Sequence, residues 1–172
     1  MSFLIEPTAS YKEQIIEAVQ EFHSEGRLLD YDVHRLRRNF AGYLLTTQNQ
    51  KDPTRVMPGR VPTTDFWLID EDRVIGRLSL RHELNDFLLK VAGHIGYVIR
   101  PSLRRRGYGK EILHLGLEQA RAIGLKRVLV TCDENNIASK KVIESNGGKF
   151  ENAVVVDGSP IMKLRYWIDV EE

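Results

Sequence analysis

The stretch that decides the fold is Ile95-Gly-Tyr-Val-Ile-Arg-Pro-Ser-Leu-Arg-Arg-Arg-Gly-Tyr-Gly-Lys110, which continues into Glu111-Ile-Leu-His-Leu-Gly-Leu-Glu-Gln-Ala120. It begins with an apolar run typical of a strand and ends with the apolar spacing of a helix. Between them lies a basic turn whose glycines let the backbone reach φ > 0 and approach a ligand closely. Because the first turn of a helix carries unpaired N–H groups and a partial positive charge, the stretch predicts a pyrophosphate-binding site.

The whole chain has the composition of an ordinary globular protein. Of its 172 residues, 42% are hydrophobic and 28% are charged, which predicts one domain over residues 1–172 with a buried core. The net charge of +1 argues against a general nucleic-acid-binding protein. Since basic residues are concentrated between Arg100 and Lys110, we expect a local anionic ligand instead.

Cysteine usage and hydropathy exclude several other classes. Cys132 is the single cysteine, so neither an intrachain disulfide nor a thiolate metal cluster is possible. The five histidines lack metal-ligand spacing, and we expect no metal. The N-terminus does not resemble a signal peptide, and no stretch approaches the roughly 18 consecutive apolar residues of a membrane helix. A cytoplasmic protein without nucleic-acid or membrane partners is therefore expected.

Hydrophobic periodicity predicts a mixed α/β domain. Strands are expected at 3–5, 65–69, 73–80, 94–100, 126–132, 149–156 and 161–170, and helices at 11–26, 32–45, 108–123 and 137–145. The proline-rich segment 52–62 predicts a loop that could form a wall of a substrate site. The order β-α-α-β-β-β-α-β-α-β-β contains one β-α-β crossover.

Two known phosphate-binding patterns fit the basic turn poorly. A Walker loop needs four residues between its glycines and then Lys-Ser/Thr, but only Tyr108 separates Gly107 from Gly109. A dinucleotide-binding fingerprint is closer, because a strand precedes the glycines and Asp133 follows the next strand. Its third glycine would fall at Ile112, which would block close helix–strand packing. A nucleotide- or NAD-binding enzyme is kept only as an alternative.

Two motifs resemble the GNAT N-acetyltransferase superfamily. Arg104-Arg-Arg-Gly-Tyr-Gly109 is similar to its Arg/Gln-x-x-Gly-x-Gly/Ala signature, and Asn136-Ile-Ala-Ser-Lys-Lys-Val-Ile-Glu-Ser-Asn-Gly147 is similar to its Asn-led helix. The resemblance is strong from Trp67 to Phe150 and weak at the N-terminus. It implies a GNAT acyl-CoA N-acyltransferase fold, with a mixed sheet of about seven strands splayed at the middle and about four flanking helices. The gap in such a sheet admits acetyl-CoA.

The resemblance also implies how acetyl-CoA would be held. Amides of the basic turn would bind the pyrophosphate, and the arginine side chains would supply charge there or to the 3′-phosphate. Pantetheine would pair like an extra strand with the exposed edge of the central strand. The implied cofactor-binding residues are Tyr97, Val98, Ile99, Arg104, Arg105, Arg106, Gly107, Tyr108, Gly109, Lys110, Asn136 and Ser139. Asn136 could instead simply cap its helix, Ser139 could be an ordinary helix residue, and the whole turn could be merely solvated.

The chemistry implied by the resemblance is direct attack of a primary amine on the acetyl carbonyl in a ternary complex. This step needs an unprotonated amine, an oxyanion donor and a route for the thiolate to leave. The backbone N–H around Ile99 is the family's usual oxyanion donor. Candidate bases are His94, whose reference pKa is about 6.5, and Glu83. A hydrogen-bonded structural histidine and a surface carboxylate are the alternative roles.

The sequence departs from the family at the general acid. Many members carry a tyrosine seven residues after the Asn, and here that position is Ile143, so no acid is assigned. A thiol with a pKa of about 8.5 can leave as the thiolate without one. The missing tyrosine keeps open a catalytically degenerate CoA-binding sensor or partner module. Cys132, in an apolar strand, is expected to be inert.

The acceptor amine is not identified by the sequence and could belong to a small molecule or to a peptide or protein. Segments 26–64 and 82–92, which should form its binding walls, carry charges of both signs. Edge strands at 149–170 could pair in a homodimer. The sequence therefore predicts the acetyl donor but leaves the acceptor and the oligomeric state open.

Overall fold

The computed structural model describes residues 1–171, and at its centre is one mixed sheet of seven strands. The strands are β1 (Phe3–Ile5), β2 (Thr63–Asp70), β3 (Arg73–Arg81), β4 (Ile95–Ile99), β5 (Arg127–Asp133), β6 (Lys149–Val154) and β7 (Lys163–Asp169). Their order in the sheet is β1-β2-β3-β4-β5-β7-β6. All neighbouring pairs are antiparallel except β4 and β5, which are parallel. The predicted mixed seven-stranded sheet is confirmed.

Five α-helices accompany the sheet: α1 (Lys12–His23), α2 (Val33–Arg38), α3 (Phe40–Gln50), α4 (Tyr108–Ala122) and α5 (Ile137–Ser145). The prediction of one continuous helix over 32–45 is wrong, because the chain breaks at Asn39. Asp32 caps α2 by accepting from the Arg35 N–H (3.0 Å), and Asn39 caps α3 by accepting from the Gly42 N–H (2.9 Å). Short polar side chains of this kind compete with helical hydrogen bonds and so divide the segment.

The sheet separates two hydrophobic cores. On the face covered by α4, which we call the α4 face, Leu78 and Ile95 pack with the apolar side of that helix. On the other face, here the α1 face, α1 to α3 cover Trp67 and Val74. Because side chains alternate along a strand, the polar residues next to Leu78 on β3 point to the α1 face. The α1 face therefore combines a hydrophobic core with a polar area.

The connection between β3 and β4 contains a single π-helical turn, Leu88–Ala92, where only a polar loop was expected. Leu88 and Val91 are buried. Thr131 on β5 donates to the Val91 carbonyl (2.9 Å), and Arg165 on β7 donates to the Leu89 carbonyl (3.1 Å). The connection is thus fixed over β5 and β7, and it leads directly into the start of β4.

The predicted edge strands at 149–170 are corrected to one. β7 lies between β5 and β6, so β6 alone forms this edge of the sheet. Its residues are mostly exposed, including the large side chain of Phe150. Any pairing of copies through this end of the sheet would therefore use β6.

Gly93 precedes β4 at a position that requires glycine. Its φ is 66°, and an added Cβ would overlap the carbonyl oxygen of Leu129 on β5. We predict that Gly93→Ala lowers the free energy of unfolding by about 3 kcal/mol, which combines backbone strain with steric overlap. Gly158→Ala is the matched control, because Gly158 has φ 78° but nothing within 4 Å of an added Cβ. Denaturant titrations that show equal losses for both variants would contradict this reading.

Candidate active site

β4 and β5 pair at one position only, Ile95, and then diverge. The direction of the β4 backbone groups follows from the hydrogen bond between the Arg100 N–H and the Ile75 carbonyl (3.0 Å). In an antiparallel ladder, successive residues point their N–H and C=O groups alternately toward and away from the partner strand. Tyr97 and Ile99 therefore point theirs away from β3 and into the space between the diverging strands, which we call the β4–β5 gap.

The basic turn, residues 100–110, follows β4 directly and opens α4. Arg105 and Gly107 both have left-handed backbone, with φ of 62° and 89°. The Lys110 N–H already donates to the Gly107 carbonyl (3.0 Å), so Lys110 offers a ligand its exposed side chain rather than its amide. Tyr108 and Gly109 stand before it in the first helical turn, where N–H groups lack helical partners. The turn thus retains the amide donors expected of an anion site.

The arginines of the basic turn have two different roles. Arg104 makes a bidentate ion pair with Glu25 of the segment after α1, with distances of 2.9 and 2.6 Å, and also donates to the Ile99 carbonyl (3.2 Å). The hydrogen bond from Arg104 lowers the pKa of Glu25. Arg105 and Arg106 are exposed. Hence Arg104 positions the turn, whereas the side chains of Arg105 and Arg106 are available to bind an anion.

A second carboxylate on α1 supports the same turn. Glu21 lies 2.7 Å from the Arg100 guanidinium, and its other oxygen accepts the Ser102 N–H over 2.6 Å. Although partial burial acts to raise it, the pKa of Glu21 is lowered by the hydrogen bonds from Ser102 and Arg100. Helix α1 therefore holds the basic turn at two points.

Other predicted cofactor residues also have structural contacts. The Tyr108 hydroxyl donates to Asp70 at the end of β2 (2.8 Å), and this hydrogen bond raises the pKa of Tyr108. A Cβ on Gly109 would stand 3.2 Å from Val142, so glycine permits the close approach of α4 and α5. Val98 packs against the core of the α1 face. These side chains shape the site.

The start of α5 faces the β4–β5 gap through a hydroxyl pair. Asn136 caps the helix by accepting from the Ser139 N–H (3.1 Å), and the Ser139 hydroxyl is 3.0 Å from the Tyr97 hydroxyl on β4. Burial raises the pKa of Tyr97 to about 12. Ile143, at the family's tyrosine position, is completely buried in the core. The pair of hydroxyls is a polar group that the sequence analysis did not foresee.

His94 is buried where β4 and β5 meet. The backbone N–H of His94 donates to the Leu129 carbonyl (2.7 Å), and the Nδ1 atom of its ring accepts the Leu129 N–H (2.9 Å). Burial, together with the charge of Arg81, lowers the pKa of His94 to about 4. A neutral imidazole that accepts at Nδ1 carries its proton on Nε2 and has no lone pair left for a second proton. This geometry favours the structural role over that of a base.

Glu83 stands elsewhere, two residues beyond the end of β3, and is exposed. Its neighbour His82 shares a hydrogen bond with the Thr64 hydroxyl (2.8 Å). Thr64 pairs with Leu80 and therefore belongs to the α4 face. The structure gives Glu83 a solvent-facing position at the rim of the sheet.

A cavity of about 250 Å³, which the sequence patterns do not predict, lies between α2, α3 and the adjoining strands β2 and β3. Tyr31 and Tyr43 line its walls, and Asp65 and Arg77 line its base. Arg77 Nη2 lies 2.8 Å from Asp65 Oδ1, and the Ser79 hydroxyl donates to the same oxygen over 2.5 Å. The available signal was a charged residue in the interior of each of two strands, at a position next to an apolar residue of the opposite face.

Cys132 is buried, and burial raises the pKa of its thiol, which agrees with the expected inert side chain. Across residues 1–171, no cluster of three or more His, Cys, Asp or Glu side chains could hold a metal ion. No helix within the same residues is long and apolar enough to cross a membrane.

Comparison with known proteins identifies the family. Residues 12–149 match the model of the acetyltransferase (GNAT) domain. The chain is 24% identical over 136 residues to the uncharacterized N-acetyltransferase YnaD of Bacillus subtilis (strain 168), covering 78% of this chain and 74% of YnaD. The family match spans most of the chain, so the protein belongs to the GNAT acetyltransferase family and is an acyltransferase.

Solved structures share this fold. RimJ of Mycobacterium smegmatis, in complex with CoA-disulfide, superposes with a TM-score of 0.70 at 18% identity, covering 96% of this chain and 80% of RimJ. The microcin C7 self-immunity acetyltransferase MccE, in complex with acetyl-CoA and AMP, gives a TM-score of 0.68 at 13% identity, covering 98% and 92%. Both likenesses confirm the predicted GNAT fold.

The lowered pKa of His94 predicts a pH-dependent stability. The unfolded chain binds a proton near pH 6.5 and the folded chain only near pH 4, so stability present above pH 6.5 is lost as the pH falls toward 4. Between pH 7 and 5 this loss amounts to about 2 kcal/mol. His94→Asn keeps an acceptor, Oδ1, for the Leu129 N–H and should remove this pH-dependent loss of stability. His114→Asn, at an exposed position of α4, should retain the loss. Denaturation curves with the same pH slope for all three proteins would contradict this assignment.

Proposed function

We propose that the protein transfers the acetyl group of acetyl-CoA to a primary amine by direct attack in a ternary complex. The observation that carries this proposal is the β4–β5 gap, with the backbone groups of Tyr97 and Ile99 directed into it and the basic turn at its end. Acetyl-CoA has a matching shape, since an amide-bearing arm is attached to a pyrophosphate. The acetyl-CoA bound by MccE supports the same donor here.

The donor would be held by two parts of the chain. Backbone groups of Tyr97 and Ile99 would pair with the pantetheine arm as an added strand does. The first-turn amides of α4 and the exposed side chains of Arg105 and Arg106 would take the phosphates. In this arrangement Asn136 contributes by capping α5 and so fixing Ser139 beside the gap.

The transfer step would use donors already directed into the gap. The Ile99 N–H would stabilise the oxyanion that forms when the amine attacks the thioester carbonyl. The Tyr97 and Ser139 hydroxyls, which bridge β4 and α5, are proton donors near the departing thiolate. Of the two bases expected from the sequence, we give His94 a structural role at the β4–β5 junction. We keep Glu83, at the rim of the sheet, as a candidate base.

A CoA-binding sensor is the second candidate function, favoured by the buried Ile143 at the tyrosine position. A panel of amines separates the two, with release of the CoA thiol as the readout. The panel contains glycinamide, a diamine, an amino sugar, free amino acids and a short peptide with a free N-terminus. We predict turnover with at least one of them. Tight acetyl-CoA binding without turnover on any amine would favour the sensor instead.

The cellular compartment and the oligomeric state of the enzyme are part of the same proposal. A single buried free thiol is in keeping with the cytoplasm, where thiols stay reduced. A homodimer would pair through β6, the strand at the open edge of the sheet. Size-exclusion chromatography with light scattering distinguishes a monomer from such a dimer.

Arg106→Ala tests the anion site at the basic turn. The change removes an exposed charge that we assign to the phosphates, so the affinity for acetyl-CoA should fall about tenfold. Arg38→Ala, which removes an exposed arginine at the end of α2, is the control and should leave the affinity unchanged. Calorimetric titration measures both. Equal affinities for wild type and Arg106→Ala would remove this side chain from the site.

A further inference from the structure

Ser79 and Asp65 form a buried polar pair on the α1 face of the sheet. Asp65 is 4% exposed and Ser79 7%. A carboxylate buried this deeply requires a charge partner and hydrogen bonds, and Arg77 and Ser79 supply them at Oδ1. Because the Ser79 hydroxyl gives its proton to Asp65, its oxygen keeps lone pairs that can accept a proton from another group.

This pair lies in one row with Gly96 at the centre of β4. Asp65 pairs with Ser79 across β2 and β3, and Ser79 pairs with Gly96 across β3 and β4. Directly paired residues of antiparallel strands have Cα atoms about 4.5 to 5.5 Å apart, and their side chains face the same side. An added Cβ at Gly96 would have the Arg81 guanidinium as its nearest neighbour, at 3.8 Å. The absence of a side chain at Gly96 thus leaves room for a small group between the Arg81 guanidinium and the row that contains Ser79.

An amine that attacks an acetyl group in the β4–β5 gap has to approach from one face of the sheet. The α4 face is closed, because Ile95 and Ile99 are packed in its core. On the α1 face, Gly96 has no side chain to cover the neighbouring backbone of Tyr97, and the nearest group is the guanidinium of Arg81. An amine that approaches from this face would pass over Gly96, beside Arg81 and Ser79.

The charges around this approach favour a neutral amine. Arg81 is held next to Gly96 by donating to the Ala92 and Gly93 carbonyls, at 3.3 and 3.1 Å. A fixed guanidinium disfavours a second cation close by, so an ammonium group reaching Gly96 would lose a proton more readily. The Ser79 oxygen can accept that proton because Ser79 passes its own proton to Asp65.

We propose that Ser79 and Asp65 form the proton relay that activates the acceptor amine. The inference rests on the proposed N-acetyltransferase function. Ser79 is the catalytic residue, since its oxygen would touch the amine. Asp65 is a positioning residue that orients the Ser79 hydroxyl and holds the proton, and Arg77 holds the carboxylate of Asp65 in place by its contact with Oδ1.

The ammonium gives one proton to Ser79 Oγ as Ser79 passes its own proton to Asp65, which becomes a carboxylic acid. The free amine forms a C–N bond to the acetyl carbon, and the C–S bond breaks with its electron pair leaving on sulfur. The second amine proton goes to the thiolate, directly or through the Tyr97 and Ser139 hydroxyls, and Asp65 later releases its proton to water. The products are the N-acetylated amine, CoA thiol and one proton.

The cavity beside Asp65 and Arg77 would receive the rest of the acceptor. Its volume of about 250 Å³ suits a group no larger than roughly one amino-acid residue. The shared ligand chemistry is therefore a primary amine on a compact group, either a small free amine or the first residue of a peptide. Turnover of glycinamide compared with a short peptide distinguishes these two sources.

Ser79→Ala is the first test, run with the amine that wild type acetylates fastest. Loss of a relay should lower kcat about a hundredfold, with KM and acetyl-CoA affinity within about threefold of wild type. Ser79→Thr keeps the hydroxyl and should restore most of kcat. Thr64→Val is the matched control, because it removes a buried hydroxyl and its hydrogen bond on the α4 face. It should leave kcat unchanged.

Asp65→Asn tests whether the two residues act as one unit. Its kcat should equal that of Ser79→Ala, and the double variant should be no slower than either alone. If the buried Arg77 prevents Asp65→Asn from folding, the Ser79 series decides alone. Unchanged kcat in Ser79→Ala overturns the relay and leaves the proposed function intact. No CoA release by wild type with any amine overturns both.

Gly96→Ala tests the approach path independently. The added methyl group fits beside Arg81, so the melting temperature and acetyl-CoA affinity should match wild type. Because the methyl fills the space over β4, KM for the amine should rise or kcat fall by about tenfold or more. Wild-type kinetics in Gly96→Ala would show that the amine does not pass this position.

Discussion

The separation of β4 from β5 immediately after Ile95 is the constraint on which the site depends. Gly93 and His94 bring the strands together at one end, through contacts with Leu129 that leave no room for another side chain. Beyond that point β4 has a partner on one side only, and Tyr97 directs its backbone groups into the gap. A fully paired sheet would use those groups internally, so the missing pairing is what makes a ligand site possible.

Helix α1 and the segment after it fix one part of the basic turn and leave the other part exposed. Glu21 and Glu25 bind two of the arginines, which are thereby fixed to the protein, whereas Arg105 and Arg106 remain exposed. The turn would otherwise concentrate like charges, and the two carboxylates reduce their mutual repulsion. The segment after α1 leads on to Tyr31 in the cavity wall, so the basic turn and the cavity are held by adjoining parts of the chain.

Local patterns sufficed to predict the seven strands, α1, α4, α5 and the glycine-containing turn between β4 and α4, because each depends on residues close in sequence. The break at Asn39 was missed because a capping side chain outweighed the continuing apolar pattern. The Asp65–Ser79 pair and the role of His94 could not be predicted in this way. Both depend on which strands become neighbours and in which register, and that is decided by contacts between distant parts of the chain.

The most direct measurement of the central claim is amide hydrogen exchange, residue by residue, with and without acetyl-CoA. If the ligand binds in the β4–β5 gap, the amides of Tyr97 and Ile99 and those at the start of α4 should gain protection together. The amide of Val98, which points to β3, should change little and serves as the internal reference. Protection confined to another region, or none at saturating acetyl-CoA, would contradict the assignment of the gap as the donor site.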